Sequence, residues 1–284
     1  MLLYRTKIFN FPVSLSLGTF IKHLECTTNF KPPAITRRYT TINSSTVNAS
    51  HFETLNPLQK QQVHLYVDTL LDWNQKMNLT AVRDVNDVMD RHIEDSLAII
   101  PPIQHSYVSC CETPIEKLNL VDVGSGAGLP GLILAIACPD WKLTLLESLN
   151  KRCVFLEHVV GLIGLSNVTV MRGRAEDVGQ NVEFREVYDV AVARAVAEMR
   201  VLAEYCLPLV RVGGLFVAAK GHSPEEEVRR AEKAISLMGA SLLQTCYVNS
   251  HSPHGQRTAI ICLKESPTPR KYPRDPGTPA KSPL

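Results

Sequence analysis

The sequence predicts an α/β protein built on a doubly wound, mostly parallel sheet of seven strands, and three observations support this fold class. From residue 117 onward, short apolar runs typical of buried strands alternate with longer runs of helical period. One strand-like run is followed by closely spaced glycines and an apolar helix. The last two strand-like runs have no helix between them, which predicts a hairpin and an antiparallel strand at the C-terminal end of the sheet.

The individual elements follow from the hydrophobic pattern in chain order. The predicted strands are 118–123, 142–146, 167–171, 187–193, 214–219, 242–248 and 258–263. The predicted helices are 130–138, 149–163, 196–209 and 224–238. We expect the parallel strands to be joined by right-handed crossovers.

A helical extension is predicted ahead of the sheet, over residues 55–105. Asn56 can cap a helix that starts at Pro57, because asparagine is favoured at the N-cap and proline in the first turn. Apolar residues then recur at helical spacing. The prolines 101–102 are expected to stop the extension, and residues 103–117 are expected to form a polar linker.

The segment 118–131 carries the clearest functional signal. It reads L-N-L-V-D-V-G-S-G-A-G-L-P-G, with glycines at 124, 126, 128 and 131. Gly124 and Gly126 permit a tight turn with positive φ and let a ligand approach the bare backbone. The following helix would direct its free N–H groups at that ligand. The pattern predicts a nucleotide-type cofactor loop, and a plain tight turn is the simpler alternative.

Two carboxylates strengthen the cofactor interpretation. Glu147 ends the second strand, 21 residues after Gly126, where a carboxylate can accept both hydroxyls of a ribose. A surface charge at a strand end is the alternative. Asp122 lies inside an otherwise apolar strand, where an acid needs a hydrogen bond to the glycine loop or a cationic ligand.

Composition excludes several classes of protein. The formal net charge is +2, but residues 1–50 hold six basic residues and one acid, whereas the remainder holds 24 basic and 27 acidic residues. Any basic surface for a nucleic acid must therefore be local. The eight cysteines include no C-x-x-C pair and no Cys/His cluster with zinc spacing, so we predict no metal site and a reducing compartment. No run is long and apolar enough for a membrane span.

The two ends of the chain differ from the rest. Residues 1–50 contain 13 Ser/Thr and one acid, which predicts an organelle transit peptide; a disordered tail without an address is the alternative. The Ser/Thr richness favours the plastid, and Arg37-Arg38-Tyr39 favours the mitochondrion. Residues 266–284 form a basic, Pro-rich tail that we expect not to pack as an element of its own.

Several separated motifs resemble the RsmG (GidB) family of class I S-adenosylmethionine methyltransferases, which methylate N7 of a guanosine in small-subunit rRNA. The motifs are V-D-V-G-S-G-A-G-L-P-G, L-L-E-S-L-N-K-R, V-A-R-A, W-N-Q-K-M-N-L-T-A-V-R-D, R-H-I-E-D-S-L and the tail K-Y-P-R-D-P-G-T-P-A-K-S-P-L. The resemblance covers about residues 55–284 and leaves out residues 1–50. It implies a class I methyltransferase domain over 117–265 behind the N-terminal helical extension.

The resemblance also implies roles for particular positions. The cofactor would be S-adenosylmethionine, with Ala175 and Glu176 flanking its adenine and Arg194 in the same site. Many family members carry Asp where this chain has Glu147, and either carboxylate can hold a ribose. The residues expected to bind the cofactor are Gly124, Gly126, Gly128, Leu129, Glu147, Ala175, Glu176 and Arg194.

The chemistry of methyl transfer to guanine predicts which groups should face the cofactor. Guanine N7 has a free lone pair and no proton, so the enzyme needs positioning groups and no general base. Cations that contact guanine O6 are the expected type. The candidates are Arg194, Lys220, His92 and Arg91. Simpler alternatives are a solvated strand-end lysine at 220, a core His92 bonded to Asp95, and an ion pair of Arg91 within its own helix.

Two other functions share parts of this pattern. An NAD(P)-dependent oxidoreductase would use the same glycines and Glu147, although the glycine at 128 and the missing catalytic His or Tyr context disfavour it. A non-catalytic rRNA-binding assembly factor could keep the fold. We expect a monomer that acts on 16S-type rRNA or the small ribosomal subunit, away from membranes. The expected compartment is the plastid stroma, with the mitochondrial matrix as the alternative.

Overall fold

A computed structural model describes residues 50–111, 114–248 and 257–284. The segment predicted as a transit peptide therefore lies outside the described residues, apart from Ser50. None of the described helices has the length and apolar character needed to cross a membrane.

Seven strands form one sheet in the order β3-β2-β1-β4-β5-β7-β6. They are β1 (Asn119–Val123), β2 (Lys142–Glu147), β3 (Val168–Arg172), β4 (Tyr188–Arg194), β5 (Val210–Lys220), β6 (Ala240–Val248) and β7 (Arg257–Lys264). The strands β1 to β5 pair in parallel, and β7 runs antiparallel to both of its neighbours, β5 and β6. The predicted mostly parallel sheet with one antiparallel strand is confirmed.

Helices cover both faces of this sheet. They are α1 (Pro57–Asn74), α2 (Val85–Val88), α3 (Asp95–Leu97), α4 (Ile100–Cys110), α5 (Gly131–Ala137), α6 (Asn150–Ile163), α7 (Ala175–Gln180), α8 (Met199–Cys206), α9 (Glu225–Leu237) and α10 (Thr278–Lys281). A π-helical turn, Met89–Glu94, joins α2 to α3, and 3₁₀ turns occupy His51–Thr54, Ile115–Lys117 and Leu207–Leu209. The start of α1 agrees with its sequence signals, because Asn56 and Gln59 form a capping box.

The cores follow the two-residue period of the central strands. Val121 and Phe216 belong to the apolar cluster that includes α8 and α9. Leu120 and Leu215 belong to the cluster that includes α4 and α5. Successive side chains of a strand point to opposite faces, so each strand contributes to both cores. A further apolar cluster joins α1, α5 and α6, which anchors the N-terminal extension to the glycine-loop side of the sheet.

The linker predicted for residues 103–117 is wrong over its first half. Ile100–Cys110 is a helix whose first turn contains the two prolines. Proline is tolerated in the first helical turn, because its missing N–H would have no intrahelical partner there. Ile103 and Tyr107, four residues apart, are both fully buried on one helical face.

The expectation that the Pro-rich tail stays unpacked is also wrong. Tyr272 is buried, and the Arg185 guanidinium donates a 2.8 Å hydrogen bond to its carbonyl oxygen. Arg274 binds the carboxylate of Glu204 on α8 through two nitrogens, at 2.9 and 2.7 Å. Backbone carbonyls and ion pairs hold this tail, and neither leaves a hydrophobic period in the sequence.

Candidate active site

The glycine segment forms a tight loop between β1 and α5. Gly124, Gly126 and Gly128 have φ values of +73°, +60° and +91°, where a side chain is strained. A Cβ on Gly124 would lie 2.8 Å from Cγ2 of Val196, and one on Gly128 would lie 2.3 Å from Cδ1 of Leu132. Gly124 and Gly128 therefore combine a left-handed backbone with close packing.

The Glu147 carboxylate is held at the end of β2 by two backbone amides. Gly126 N–H donates to Oε2 over 2.9 Å, and Leu149 N–H donates to Oε1 over 2.8 Å. The side chain is only 3% exposed, and an Arg152 nitrogen lies 3.5 Å from Oε2. Each carboxylate oxygen keeps further acceptor capacity, so the group can bind hydroxyls while it fixes the loop. The alternative of a solvated surface charge at Glu147 is wrong.

Asp122 is a fully buried acid under the glycine loop. Its Oδ2 accepts a 3.0 Å hydrogen bond from Gly131 N–H, at the start of α5. Its Oδ1 has no hydrogen-bond partner in the part of the chain that the structure describes. Burial raises the pKa of Asp122 to about 6. A cationic ligand near the loop would favour the ionised form, because opposite charges stabilise each other strongly where water is excluded.

The loop and the strand ends enclose an elongated cleft made of two connected cavities. The larger, about 360 Å³, is lined by Gly124, Gly126, Leu129, Glu147 and Arg194 among others. The smaller, about 140 Å³, contains Ala175, Glu176 and Tyr205, and it shares Gly124, Ser148 and Val196 with the larger one. The structure thus brings the expected cofactor residues together, except that Gly128 lies behind the loop against Leu132.

Tyr66 of α1 fastens the glycine loop from the N-terminal extension. Its hydroxyl donates a 2.9 Å hydrogen bond to the carbonyl oxygen of Ala127. Burial keeps the pKa of Tyr66 well above its usual value, so the phenol stays protonated and can donate. Sequence reasoning missed this residue, because Tyr66 also fits the apolar period of α1 and its partner is 61 positions away.

A separate cavity of about 260 Å³, called the second cavity below, adjoins the cleft at the carboxyl ends of β4 and β5. The cleft and this second cavity share His92, Arg194 and Ala195. All four substrate-positioning candidates line the second cavity, together with Arg257 and Thr258 from the start of β7. Since β7 runs antiparallel, its first residues reach the edge where the parallel strands end.

His92 connects the two spaces as a neutral group. Its Nε2 lies 2.8 Å from the Thr80 hydroxyl, and its Nδ1 lies 3.1 Å from the Arg91 carbonyl oxygen. Burial, with the Arg194 charge, lowers the pKa of His92 to about 4. The alternative of a bond to Asp95 is wrong, because Thr80 and the Arg91 carbonyl occupy both ring nitrogens; Asp95 accepts from Arg257 Nε at 2.8 Å.

The other cations have different surroundings. Lys220 Nζ donates to the Ala197 carbonyl at 2.7 Å and to Glu227 at 2.6 Å, so it is not a solvated lysine. Arg91 Nε is buried and has no hydrogen-bond partner among the described residues. Glu94, a carboxylate within reach of Arg91 on the same turn, is instead bonded to residues 50–52. Burial raises the pKa of Glu94, but hydrogen bonds with the His51 imidazole, the Ser50 hydroxyl and the backbone amides of residues 51 and 52 lower it to about 2.

Arg194 lies where the cleft and the second cavity meet. One of its terminal nitrogens contacts the carbonyl oxygen of His92 at 3.4 Å and the Ser96 hydroxyl at 3.5 Å. Burial lowers the pKa of Arg194, while the carboxylate of Asp95 opposes this effect. The long contacts leave a guanidinium with unused donors between the two spaces. No cluster of His, Cys, Asp and Glu side chains suited to a metal ion occurs within the described ranges.

Comparison with known proteins identifies the family. A model described as GidB, rRNA small subunit methyltransferase G, matches residues 59–256. The chain is 44% identical over 226 residues to ribosomal RNA small subunit methyltransferase G of Alkaliphilus metalliredigens, which covers 80% of this chain and 91% of that protein. It is 44% identical over 230 residues to the protein of the same name from Staphylococcus aureus, with 81% and 92% covered.

A solved structure, fibrillarin of Aeropyrum pernix with natively bound S-adenosyl-L-methionine, is similar with a TM-score of 0.42 and 14% identity, over 56% of this chain and 74% of that chain. At this level of similarity, the assignment depends on the sequence relatives. The predicted class I methyltransferase fold is confirmed, and the oxidoreductase alternative is not supported. The chain belongs to the GidB family of small-subunit rRNA methyltransferases, which are enzymes that use S-adenosylmethionine as their cofactor.

Proposed function

We propose that the protein transfers a methyl group from S-adenosylmethionine to N7 of a guanosine in the small-subunit rRNA of an organelle. One observation carries this proposal: the glycine-loop cleft meets a second, cation-lined cavity at His92 and Arg194. A methyl donor in the cleft and a base in the second cavity would therefore be neighbours.

The residues of the cleft fit this cofactor in kind. We propose that Glu147 accepts the ribose hydroxyls and that Gly124, Gly126 and Leu129 lie against the cofactor. Ala175 and Glu176 line the smaller cavity, where an adenine ring would fit. The further residues in these proposed binding roles are Gly128, which shapes the loop, and Arg194.

The acid under the loop fits the charge of the cofactor. S-adenosylmethionine, when bound, supplies an activated methyl group on a positively charged sulfur. Asp122 presents an acceptor oxygen without a partner among the described residues. A cation in the cleft would stabilise that carboxylate and lower its pKa from about 6. Cofactor binding and ionisation of Asp122 are therefore expected to favour each other.

The second cavity fits a nucleophile that needs no base. N7 of guanine has a lone pair in its neutral form, so no proton must be removed before it attacks. His92, whose pKa is about 4, is uncharged at neutral pH and already contacts Thr80. We propose that His92, Arg91, Arg194 and Lys220 position the base and exclude water, which is how most of the rate increase would arise.

The proposed compartment depends on the composition of residues 1–50. The Ser/Thr-rich, acid-poor residues 1–50 support import into an organelle, and we propose the plastid stroma, with the mitochondrial matrix as the alternative. A fluorescent fusion of residues 1–55 tests this, and a cytosolic signal would contradict it. We further propose that the protein acts as a monomer on 16S-type rRNA or the small subunit, which light scattering of the purified protein would check.

Mapping of 7-methylguanosine in the organelle rRNA tests the reaction. Knockout cells should lose one chemical-cleavage stop in primer extension across the small-subunit rRNA, and full-length protein with S-adenosylmethionine should restore it on isolated subunits. Methylation that persists at every site in the knockout would contradict the substrate assignment.

A Glu147→Gln variant separates catalysis from an assembly role. If it loses cofactor binding and methylation but still corrects the ribosome phenotype of the knockout, methylation is not the main function. Calorimetric titration of the full-length protein with S-adenosylmethionine and with NAD provides a direct check, because tighter binding of NAD would contradict the proposal.

A further inference from the structure

Thr258, one of the residues that line the second cavity, has a buried hydroxyl without a partner among the described residues. The residue is 1% exposed, and its Oγ1 makes no hydrogen bond with any residue that the structure describes. Thr258 lines the cavity beside Lys220, opposite which it lies in the β5–β7 register. A buried hydroxyl that lacks a partner destabilises a folded protein, so its presence at this position calls for a reason outside the protein itself.

A second buried polar atom without a partner belongs to another residue of the lining, on a different element. Arg91 Nε, on the π-helical turn, is buried and has no hydrogen-bond partner within the described ranges. Thr258 belongs to β7, and 167 positions separate it from Arg91 in the sequence. Two unrelated parts of the chain therefore bring unused hydrogen-bonding atoms to one space.

The rest of the cavity lining combines apolar side chains with charged ones, among them Asp95 and Arg257. Ile99, Ala195, Ala219 and Val248 supply its apolar lining. Lys220 Nζ is already bound to Ala197 and Glu227. Among the described residues of the lining, the buried side-chain atoms without any partner are thus the guanidinium N–H of Arg91, which can only donate, and the hydroxyl of Thr258, which can donate.

These groups match one edge of guanine better than the corresponding edge of adenine. Guanine carries an acceptor, O6, next to N7, whereas adenine carries an amino donor at that position. A target base must leave its stack to enter such a cavity. We infer that the Thr258 hydroxyl and Arg91 Nε donate to O6 of the extruded target guanine and so select guanine over adenine. This inference rests on the proposed function and extends it to two residues with a stated task.

The test uses Thr258→Val, which keeps the shape and removes the hydroxyl. Because the hydroxyl has no partner in the described protein, the variant should unfold at the same temperature or higher. Its affinity for S-adenosylmethionine should be unchanged in calorimetry. Its kcat/KM on small ribosomal subunits should fall about 3- to 10-fold, the factor that one neutral hydrogen bond supplies. Thr258→Ser should restore the activity, and Thr169→Val, on the exposed side of β3, is the matched control.

A substrate change makes the test specific to O6. Replacing the target guanine in the rRNA by 2-aminopurine removes O6 and keeps N7. The wild-type enzyme should lose activity on this RNA, and Thr258→Val should lose a smaller factor between the two RNAs, because one of the two contacts to O6 is already gone. Arg91→Lys, which retains the charge but not Nε, should behave in the same way.

Three results would overturn the inference. Thr258→Val could retain full activity on rRNA, it could lose the same factor as the wild type on 2-aminopurine RNA, or it could lose cofactor affinity in parallel with activity. Absence of N7 methylation by the wild-type enzyme would be a different result, since it would refute the proposed function and the inference with it.

Discussion

The backbone amide of Gly277 donates a 2.8 Å hydrogen bond to Oε1 of Glu176, which joins the tail of the chain to the wall of the glycine-loop cleft. Glu176 is buried and lines the same cavity as Tyr205. Glu204, the neighbour of Tyr205 on α8, pairs with Arg274 of the tail. The tail therefore contacts Glu176 in the cleft lining and Glu204 on α8. Deletion of the tail should alter the cavity beside Glu176 and also lower the free energy of unfolding.

Arg274→Met should destabilise the protein by about 3 kcal/mol, because it leaves the carboxylate of Glu204 buried without its partner. Glu204 is 0% exposed, and it accepts three hydrogen bonds from two nitrogens of the guanidinium and one from the backbone amide of residue 274. Urea denaturation measures the change. The double variant with Glu204→Gln should recover part of the loss, since no charge is then buried.

The control for this ion pair is Arg229→Met, which breaks an exposed pair with Glu226 on α9. Exposed pairs contribute little, so its unfolding midpoint should stay close to that of the wild type. Equal midpoints for the Arg274 and Arg229 variants would refute the importance of the tail contact.

Glu147→Gln should weaken binding of S-adenosylmethionine about 10- to 100-fold, the range for loss of a hydrogen bond to a charged group. The amide also turns one donor toward the N–H of Gly126 or Leu149, both of which need an acceptor. Calorimetry at neutral pH measures the affinity. Glu157→Gln, exposed on α6, removes the same charge without contact to the cleft. Unaltered affinity in the Glu147 variant would exclude its role as a cofactor ligand.

His92 should make the folded protein less stable as the pH falls from 7 to 5. Its pKa is about 4 in the folded protein against a usual value of 6.5, so the unfolded chain binds a proton that the folded chain does not. The resulting loss is about 2 kcal/mol at pH 5. His92→Gln should lack this part of the pH dependence in urea titrations at the two pH values. His105→Gln, on exposed α4 surface, controls for the loss of an imidazole.

Gly128→Ala should destabilise the glycine loop by about 1–3 kcal/mol, because the added Cβ meets Leu132 at 2.3 Å on a backbone with φ of +91°. Combining it with Leu132→Ala should not restore stability, because the backbone strain remains, Leu156 still lies 3.0 Å from the added Cβ, and truncation of the buried Leu132 is itself destabilising. Gly161→Ala gives the opposite expectation. It lies in α6 with nothing within 4 Å of an added Cβ, so alanine should stabilise the helix by about 0.5–1 kcal/mol. Thermal unfolding of both single variants distinguishes the two signs.

Much of the fold and the position of the glycine-loop cleft could be predicted from local patterns. The alternation of strand and helix, the positive-φ glycines at 124 and 126 and the carboxylate at 147 each depend on neighbours within one βα unit. The hairpin that inverts β7 followed from a missing helix. Such features are readable because period, turn chemistry and strand-end position are properties of short stretches.

The partners of individual side chains could not be predicted from local patterns. Proline at 101 and 102 was compatible with a stop or a first turn, and burial of Ile103 and Tyr107 selected the helix. The tail has no hydrophobic period, yet Arg185 and Arg274 hold it through groups far away in the sequence.

The sequence alone was sufficient to predict the class of fold, to locate the glycine loop and to recognise the family motifs, because each of these is a pattern of contiguous residues. The second cavity arose only when the chain folded. It combines Arg91 from the N-terminal extension, Arg194 from β4 and Thr258 from an antiparallel strand, and no spacing along the chain encodes their meeting. Likewise, burial gives His92 its low pKa and leaves the Thr258 hydroxyl without a partner among the described residues. Desolvation and long-range pairing are collective properties of the packed molecule, which is why they appear only in the tertiary structure.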